Sequence, residues 1–490
     1  MKTRSFNIAT AGLALLLTAL LPSCKKSFLE TQPKGKLIIT TTSDYDLMLD
    51  NFTLLSNSTD VGVPMGDEVA AVDNYFSSAD PRNQRLFRWD SVIYDPGIFA
   101  GEMSSLMTTL YLYNKIINEV MNSTGGADTQ KKEILAEAKA NRAYNNFWLI
   151  NMYGKPYNAA TAANDPGYPI VTAADVTQNS FTRASVQAMY DFILQDLTSA
   201  IPDLPVVISS RGRMGKTAAE MLLGKVYVFM GRYTDAKTQL DASVTDLAST
   251  GSGTILTTMG LYDLNVTMVP GGTWGYTGST ATTYFTAQPT AANYTENIHC
   301  RSFLNYWSFT NSECVLTPQA AALYTASDKR LNYFTSKPYL VSTGYPVAGV
   351  LRRNSPLSTA NGETIAELYL LRAECEARLN DLTDAKADLE TLRVKRMNAT
   401  DAIVPTTLTQ PQMIQFVLDE RVREFALQGY RWFDMRRLSV DPLYAGTTYT
   451  HTLYSATGTA SATYSLKPER LTLRFPQAVI DQNPGMANNP

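Results

Sequence analysis

The sequence predicts a mainly α fold, a superhelix of stacked helix pairs with a loop-rich, variable region and a few short β hairpins. Apolar residues recur every three or four positions in several segments, which is typical of amphipathic helices. Two segments align without a gap and indicate a repeated helix pair. Residues 249–312 and 444–465 are rich in Thr, Ser, Gly and Ala and lack helical periodicity, so we expect loops and hairpins there.

The composition limits the classes of function. The chain has 490 residues, of which 44% are hydrophobic, enough for a large core in two or three domains. The formal net charge is −3, so no basic excess exists to neutralise a phosphate backbone, and a nucleic-acid partner is disfavoured. Two histidines and four cysteines leave little material for a metal site. We therefore predict no metal, no cofactor and no nucleic-acid partner.

The first 23 residues have the pattern of an export signal. Lys2 and Arg4 precede an apolar stretch that is too short to span a membrane comfortably. The following Leu-Pro-Ser-Cys sequence resembles a bacterial lipobox, which predicts that Cys24 is lipidated and anchors the chain to a membrane. An ordinary secretory peptide with an incidental cysteine is the alternative. Residues 24–42 are a polar tether, and no later segment predicts a transmembrane helix.

Helices are predicted wherever the apolar spacing is regular. The first covers 44–55, with Tyr45, Leu49 and Phe52 on one face. Residues 60–95 contain many Gly, Pro, Asp and Asn residues and are predicted to be loops. The remaining predicted helices lie in 106–152, 185–247, 364–397 and 411–428.

The repeat relates residues 222–240 to residues 371–389. Each copy reads as a helix, a turn at a Gly or Asn, and a second helix that begins near Thr-Asp. Gly224 and Ala373 occupy the same position in the two copies, where a small residue lets helices approach closely. This spacing resembles tetratricopeptide (TPR) helix pairs, which stack because one pair cannot bury its apolar face alone. Most aliphatic residues here are expected to form core.

Aromatic residues in the loop-rich segments are candidates for ligand binding. A tyrosine or tryptophan ring offers a flat apolar face with a polar edge, which suits the C–H faces and hydroxyls of a sugar. The alternative is that these rings pack under their own loops. The first-rank candidates are Trp274, Tyr276, Tyr284, Tyr294 and Trp307, with Asn293 and Asn305 as hydroxyl partners; Tyr75 and Trp89 are second-rank.

The cysteines suggest a disulfide or a metal site, and each has a structural alternative. Cys300 and Cys314 are a candidate disulfide in an exported protein, but their spacing alone does not decide it. They lack the ligands needed for zinc with His299. Cys375 reads as a buried thiol in a helix.

Residues 420–437 place three acidic residues among five arginines. Glu420 and Glu424 share one helix face and could serve as the carboxyl pair of a glycosidase. Nearby arginines would instead keep them ionised, so structural ion pairs between the last repeat and the C-terminal segment are the favoured interpretation. The adjacent Asp67 and Glu68 suggest a solvated loop or a cation site. No hydrolase, zinc-protease or phosphate-loop motif is present, and we predict that the chain is not an enzyme.

Taken together, the motifs resemble the SusD/RagB family of nutrient-binding outer-membrane lipoproteins of Bacteroidetes. The most specific stretch is ERVREFALQGYRWFDMRR at 420–437, which is similar to the family block E-R-x-x-E-L-x-x-E-G-x-R-W-F-D-L-x-R. Gln428 stands where that block has Glu, and Lys25 and Lys26 replace the acidic residues that often follow the lipidated cysteine. Similar stretches, in order along the chain, are 27–30, 137–144, 183–205 and 475–484.

The resemblance implies both architecture and function. It implies a SusD-like N-terminal region at 43–248, a variable ligand-binding region at 249–363 and a C-terminal region at 364–490. It further implies a lipid-anchored protein on the extracellular side of the outer membrane. Such a protein is the lid of a SusC-like TonB-dependent transporter and captures a glycan for import. The alternative is a lipid-anchored TPR scaffold that binds peptides or protein partners.

Overall fold

The computed structural model describes residues 39–57, 60–249, 259–277 and 285–490. The predictions for the export signal, for Cys24 and for Tyr284 concern residues outside these ranges. Within them, no helix is both long enough and apolar enough to cross a membrane.

Helices are the main secondary structure of the described chain, as predicted. They are α1 (Thr42–Leu49), α2 (Asp73–Phe76), α3 (Pro81–Phe87), α4 (Gly101–Glu119), α5 (Asp128–Tyr153), α6 (Val186–Ala200), α7 (Lys216–Phe229), α8 (Tyr233–Ser249), α9 (Leu264–Thr267), α10 (Tyr306–Phe309), α11 (Pro318–Ala321), α12 (Ile365–Arg378), α13 (Leu382–Arg393), α14 (Ala399–Ala402), α15 (Gln410–Phe425), α16 (Tyr430–Leu438) and α17 (Gln477–Asp481). Short 3₁₀ turns lie at Phe52–Leu55, Asp60–Met65, Val120–Asn122, Ile201–Asp203, Ala291–Asn293, Lys329–Tyr333 and Pro468–Leu471.

The strands are short and form three small sheets in the described chain. They are β1 (Val69–Val72), β2 (Ser302–Leu304), β3 (Val315–Leu316), β4 (Phe334–Thr335), β5 (Arg352–Arg353), β6 (Ser358–Ala360), β7 (Thr450–Tyr454) and β8 (Ala460–Ser465). The largest sheet has the order β3-β1-β7-β8, in which β1 is antiparallel to β3 and parallel to β7. Strands β2 and β6 form one antiparallel pair, and β4 and β5 form another.

The long helices stack as consecutive pairs. Helix α4 packs on α5, α5 on α6, α7 on α8, and α12 on α13. Helix α12 also contacts α8 and α15, so the two repeat copies belong to one continuous stack. The predicted apolar face of α5 is buried, because each turn presents an alanine or a large apolar residue to its neighbours. The prediction of a mainly α fold with a few short β elements is confirmed.

The two repeat copies have the same backbone conformation at the turn between their helices. Gly231 ends the first helix of one copy with φ 72°, and Asn380 does so in the other with φ 64°. Both values are left-handed, a conformation that Gly and Asn adopt most readily. A β-carbon on Gly224 would lie 2.6 Å from Leu240 Cγ, so α7 and α8 approach as closely as the small residue predicted.

Two predictions about the N-terminal part were wrong. The first helix ends at Leu49, and Phe52 lies in a separate 3₁₀ turn with its ring 79% exposed, instead of on a shared apolar face. Residues 60–95 are not mainly loop, because they contain β1, α2 and α3. All four residues of β1 are buried at the centre of the largest sheet. Their pairing partners come from distant parts of the chain, which local composition does not reveal.

Candidate ligand-binding site

A partly enclosed cavity of about 560 Å³ lies between the loop-rich region and the helical stack. Residues 285–297 and 353–360 line one side of it, and the junction of α15 and α16 lines the other. Its volume falls within the range of small-ligand sites in proteins. The cavity is therefore the candidate ligand-binding site.

Aromatic rings form much of the apolar wall. Phe285 and Tyr333 lie with ring centroids 5.7 Å apart, and Phe425 stacks on Tyr430 with centroids 4.2 Å apart. Tyr294, just after the 3₁₀ turn Ala291–Asn293, is half-buried and lines the same space. Flat rings around a concave space can contact the apolar faces of a sugar ring.

Polar groups line the cavity beside these rings. The Ser355 hydroxyl donates to Gln288 Oε1 at 2.7 Å, which ties the two loop segments together. Asn354 accepts a hydrogen bond from Arg352 Nη2 at 2.9 Å through Oδ1, while its Nδ2 has no partner among the described residues. Gln428 is partly exposed and donates to the Glu424 carbonyl at 2.9 Å. These side chains offer both donors and acceptors to a ligand that carries hydroxyls.

Buried ion pairs form part of the cavity wall and continue behind it. Arg396 binds Glu296 at 2.9 Å and Glu424 at 2.8 Å. Arg330 also binds Glu424 at 2.8 Å, and it binds Glu420 at the same distance. Further pairs join Arg330 to Asp328, and Arg393 and Arg423 to Glu420. The network fixes the end of α15 to the end of α13 and to the 3₁₀ turn Lys329–Tyr333.

These ion pairs determine the protonation state of Glu420 and Glu424. Burial alone would raise the pKa of Glu420, but the neighbouring guanidinium groups of Arg330, Arg423 and Arg393 hold it well below its ordinary value. Arg396 and Arg330 likewise lower the pKa of Glu424 against the effect of burial. A glycosidase needs one carboxyl that keeps its proton. Neither glutamate is suited to that role, and the predicted ion pairs are confirmed.

The partners of these carboxylates agree only in part with the prediction. Glu424 binds Arg396, which lies just after α13, and Glu420 binds Arg330, Arg393 and Arg423. Arg437 of α16 is bound by Glu374 of α12, a pair that joins the second repeat copy to the C-terminal segment. Asp434 of α16 binds Arg421 and Arg437, which lie on α15 and α16. Their role is therefore to fix neighbouring helices of the stack to one another.

The prediction of a solvated loop at Asp67 and Glu68 is also wrong. Asp67 accepts two hydrogen bonds from Arg431, the longer at 3.0 Å from Nη2. Glu68 is only 3% exposed, because the buried strand β1 begins at the next residue. Burial, aided by the charge of Asp67, raises the pKa of Glu68 to about 8.

Four of the predicted binding residues are buried and engaged elsewhere. Trp274 is 2% exposed and packs edge-on against Tyr262 with ring centroids 4.9 Å apart. The Trp307 indole donates to Asp60 Oδ2 at 2.8 Å, and the Asn305 amide donates to the Leu427 carbonyl at 2.7 Å.

The fourth is Trp89, which stacks on His451 at 3.7 Å and donates to the Met65 carbonyl at 3.1 Å. Each of these four side chains contacts the core, so none offers a face to a ligand. For them the alternative, packing under the loops, is the correct interpretation.

The other predicted residues are more accessible. Tyr294 lines the cavity, and Asn293 is exposed in the adjacent turn. Tyr276 is half-buried against Phe285, with ring centroids 5.5 Å apart, and donates to Asn332 Oδ1 at 3.2 Å. Tyr75 is half-buried outside the cavity, edge-on to Tyr345.

Both cysteines of the candidate disulfide are free and buried. The Cys300 amide donates to the Arg211 carbonyl, and the Cys314 amide donates to the Trp307 carbonyl. The backbone thus holds the two residues in separate parts of the core. The bridge is absent, and Cys375 is a buried thiol, as expected.

Sequence reasoning missed most of the cavity wall. Gln288, Tyr333 and Arg353 were not among the candidates, although all three lie in or next to the predicted variable region. Their positions depend on pairing between short strands far apart in the chain, for which there is no local signal. The one available signal was Gln428, whose departure from the resembled block falls on the cavity lining.

Comparison with known proteins agrees with the fold. The model described as "SusD family" matches residues 353–490, and the model described as "Starch-binding associating with outer membrane" matches residues 27–228. The two matches together cover more than two thirds of the chain. No curated protein matches the chain significantly.

Solved structures of similar architecture cover nearly the whole chain. A putative sugar binding protein from Bacteroides vulgatus superposes with a TM-score of 0.70 at 20% identity, covering 93% of this chain and 99% of its own. A SusD superfamily protein from Bacteroides thetaiotaomicron gives 0.69 at 18% identity, covering 92% and 100%. A laminarin binding SusD-like protein gives 0.61 at 18%, also covering 92% and 100%. The two family matches therefore show that the chain belongs to the SusD/RagB family, and the solved structures show that it shares their fold.

Proposed function

We propose that the chain is a cell-surface lipoprotein that captures an oligosaccharide or polysaccharide in the cavity described above. It then acts as the lid of a SusC-like TonB-dependent outer-membrane transporter, which imports the glycan. The observation that carries the proposal is the cavity itself, in which aromatic faces and unsatisfied polar groups line one concave space. Sugar recognition needs both kinds of group, since sugars have apolar C–H faces and a rim of hydroxyls.

The role is binding without cleavage. Arg396 and Arg330 lower the pKa of Glu424, which lines the cavity, and Arg396 also binds Glu296, so both carboxylates serve the architecture. The lipobox-like sequence that ends at Cys24 supports anchoring of the chain to the outer membrane, and the extracellular side is where a large glycan first meets the cell.

A steric block provides the first test. Thr290 is exposed and lines the cavity, so Thr290→Trp fills the space without removing a buried contact. Thr172 is exposed elsewhere, and Thr172→Trp is the matched control. In native gels containing laminarin, starch or polygalacturonate, we expect the natural chain and the control to be retarded by the same polysaccharide. Thr290→Trp should lose most of that retardation.

Removal of one ring is the second arm of the test. Tyr294→Ala deletes the accessible aromatic face of the cavity, whereas Tyr306→Ala deletes a ring that is 47% exposed outside it. We expect at least a tenfold loss of affinity for Tyr294→Ala, since stacked aromatic contacts are each worth about 1 kcal/mol or more beyond their buried area. Equal binding by Thr290→Trp and the natural chain would reject the cavity. Peptide binding with no retardation by any polysaccharide would favour the TPR scaffold instead.

A further inference from the structure

One arginine in the cavity wall has no carboxylate partner. Arg353, on β5, is 5% exposed and lines the cavity. Its Nη1 donates to the Ala426 carbonyl at 3.2 Å, and its Nε has no hydrogen-bond partner among the described residues. No carboxylate of the described chain lies within ion-pair distance of it. A buried guanidinium is normally paired, because removing an unpaired charge from water is costly.

The neighbouring arginines differ from Arg353 in this respect. Arg330 and Arg396, which line the same cavity, are bound by carboxylates at 2.6–2.9 Å. Burial alone would lower the pKa values of Arg330 and Arg396, but their carboxylate partners raise both well above the ordinary value for arginine. Burial lowers the pKa of Arg353, which has no such partner. The charged residues that line the cavity are three arginines and two carboxylates: Arg330, Arg353 and Arg396 against Glu296 and Glu424. The cavity therefore has one positive charge in excess.

The surroundings of Arg353 hold its guanidinium in place. Its Cζ lies 4.9 Å from the centroid of the Tyr333 ring and 5.5 Å from that of Phe334. Strand pairing fixes the backbone, since Arg353 lies opposite Phe334 in the β4–β5 pair. The next residue, Asn354, is 1% exposed and contributes the unpartnered Nδ2 donor to the same wall. Adjacent fixed donors of this kind suit an anionic acceptor.

The lining also lacks a negative charge at position 428. Gln428 lines the cavity and stands where the resembled sequence block has Glu. The amide at this position adds no negative charge to the lining. The same position provides a near-isosteric way to restore the balance.

We propose that the cavity selects a glycan that carries carboxylate groups, with the carboxylate of a uronic acid unit bound by Arg353 and Asn354. This inference rests on the proposed glycan-binding function and adds the chemical class of the ligand. Guanidinium groups bind carboxylates strongly because both are planar and charged. Tyr294 and the neighbouring rings then contact the apolar face of the sugar.

Calorimetric titration of the full chain tests this charge selectivity. The probes are short oligomers of galacturonate, glucuronate and alginate, each compared with its methyl ester, which keeps the sugar but removes the charge. A sulfated galactan oligomer separates carboxylate from general anion binding. We expect at least one uronate oligomer to bind, and its ester to bind about tenfold to a hundredfold more weakly. The sulfated oligomer should bind more weakly than the uronate.

Two variants link the effect to the cavity. Arg353→Gln should reduce affinity for the uronate by about tenfold or more, and it should reduce affinity for the ester by a much smaller factor. Gln428→Glu adds a negative charge at a partly exposed position and should do the same, even if Arg353→Gln does not fold. Higher salt should weaken binding of the uronate but not of the ester.

The failure of this inference can be distinguished from the failure of the proposed function. Binding of neutral oligosaccharides that is lost in Thr290→Trp, without preference for uronates over esters, would overturn the charge selectivity and leave the glycan-binding cavity. Equal uronate affinity in the natural chain and Gln428→Glu would also overturn it. No binding of any oligosaccharide would overturn both.

Discussion

The helical stack and the loop-rich wall of the cavity each contain a buried arginine without a carboxylate partner, but the two arginines differ in their surroundings. Most buried arginines near the stack meet carboxylates, as Arg330, Arg393 and Arg423 do with Glu420. Arg436 of α16 has no carboxylate partner within the described chain and donates to the Gly154 carbonyl at 2.7 Å. Arg353, in the wall formed by 285–297 and 353–360, also lacks a carboxylate partner there, but it lines the cavity and Arg436 does not. A ligand in the cavity can supply a partner to Arg353, so access to the cavity is what separates the two arginines.

The largest expected effect comes from breaking one pair in the stack. Glu420→Gln keeps the shape of the side chain but leaves three buried arginines without their shared carboxylate. We expect a loss of about 3–5 kcal/mol in the free energy of unfolding, because an uncompensated buried charge is costly. Arg353→Gln, by contrast, removes a charge that is already unpaired and should lower stability by less than about 1 kcal/mol. Denaturant unfolding measures both, and equal losses would contradict the distinction.

A smaller effect is expected from the close approach of α7 and α8. The β-carbon of Gly224→Val would overlap Leu240, which forces the helices apart. Overpacking of this kind costs about 1–3 kcal/mol. Gly260, before α9, has open space around an added β-carbon, so Gly260→Val is the matched control. Thermal unfolding should show a clear decrease in melting temperature for Gly224→Val only. A similar decrease in both variants would indicate a general effect of losing glycine.

Measured per pH unit, the smallest expected effect is a pH dependence caused by Glu68. Its pKa is about 8 in the fold and has an ordinary value of 4.5, so between these values the folded chain holds a proton that the unfolded chain has lost. Raising the pH through this window therefore destabilises the fold, by at most about 1.4 kcal/mol per pH unit. Glu68→Gln cannot lose a proton and should show a shallower decline in unfolding free energy between about pH 5 and pH 7.5. Parallel curves for the two chains would disprove the role of Glu68.

The stack was predictable because its signals are local. Apolar spacing identified α4 to α6, and the gapless alignment identified α7–α8 and α12–α13, including the turns at Gly231 and Asn380. Beta strand β1 was missed because its strand partners, β3 and β7, come from residues 315–316 and 450–454. Short strands of this kind are defined by distant pairing, not by composition.

The cavity was predictable only in outline. Part of the loop-rich region, including the predicted Tyr294, lines the cavity. The prediction that Trp307 binds a ligand shows the limit of sequence reasoning. Its indole donates to Asp60, 247 residues earlier in the chain. Aromatic composition reveals that rings are available but not which of them face a ligand. Whether Arg353 has a carboxylate partner depends equally on tertiary contacts, and the sequence alone does not show it.

A crystal structure of the chain with a bound oligosaccharide tests the central claim most directly. The account predicts that the sugar lies in the cavity, with one ring against Tyr294 and, for a uronate, its carboxylate within hydrogen-bond distance of Arg353. A sugar bound elsewhere, such as at the exposed ring of Tyr306, with the cavity unoccupied, would contradict the account.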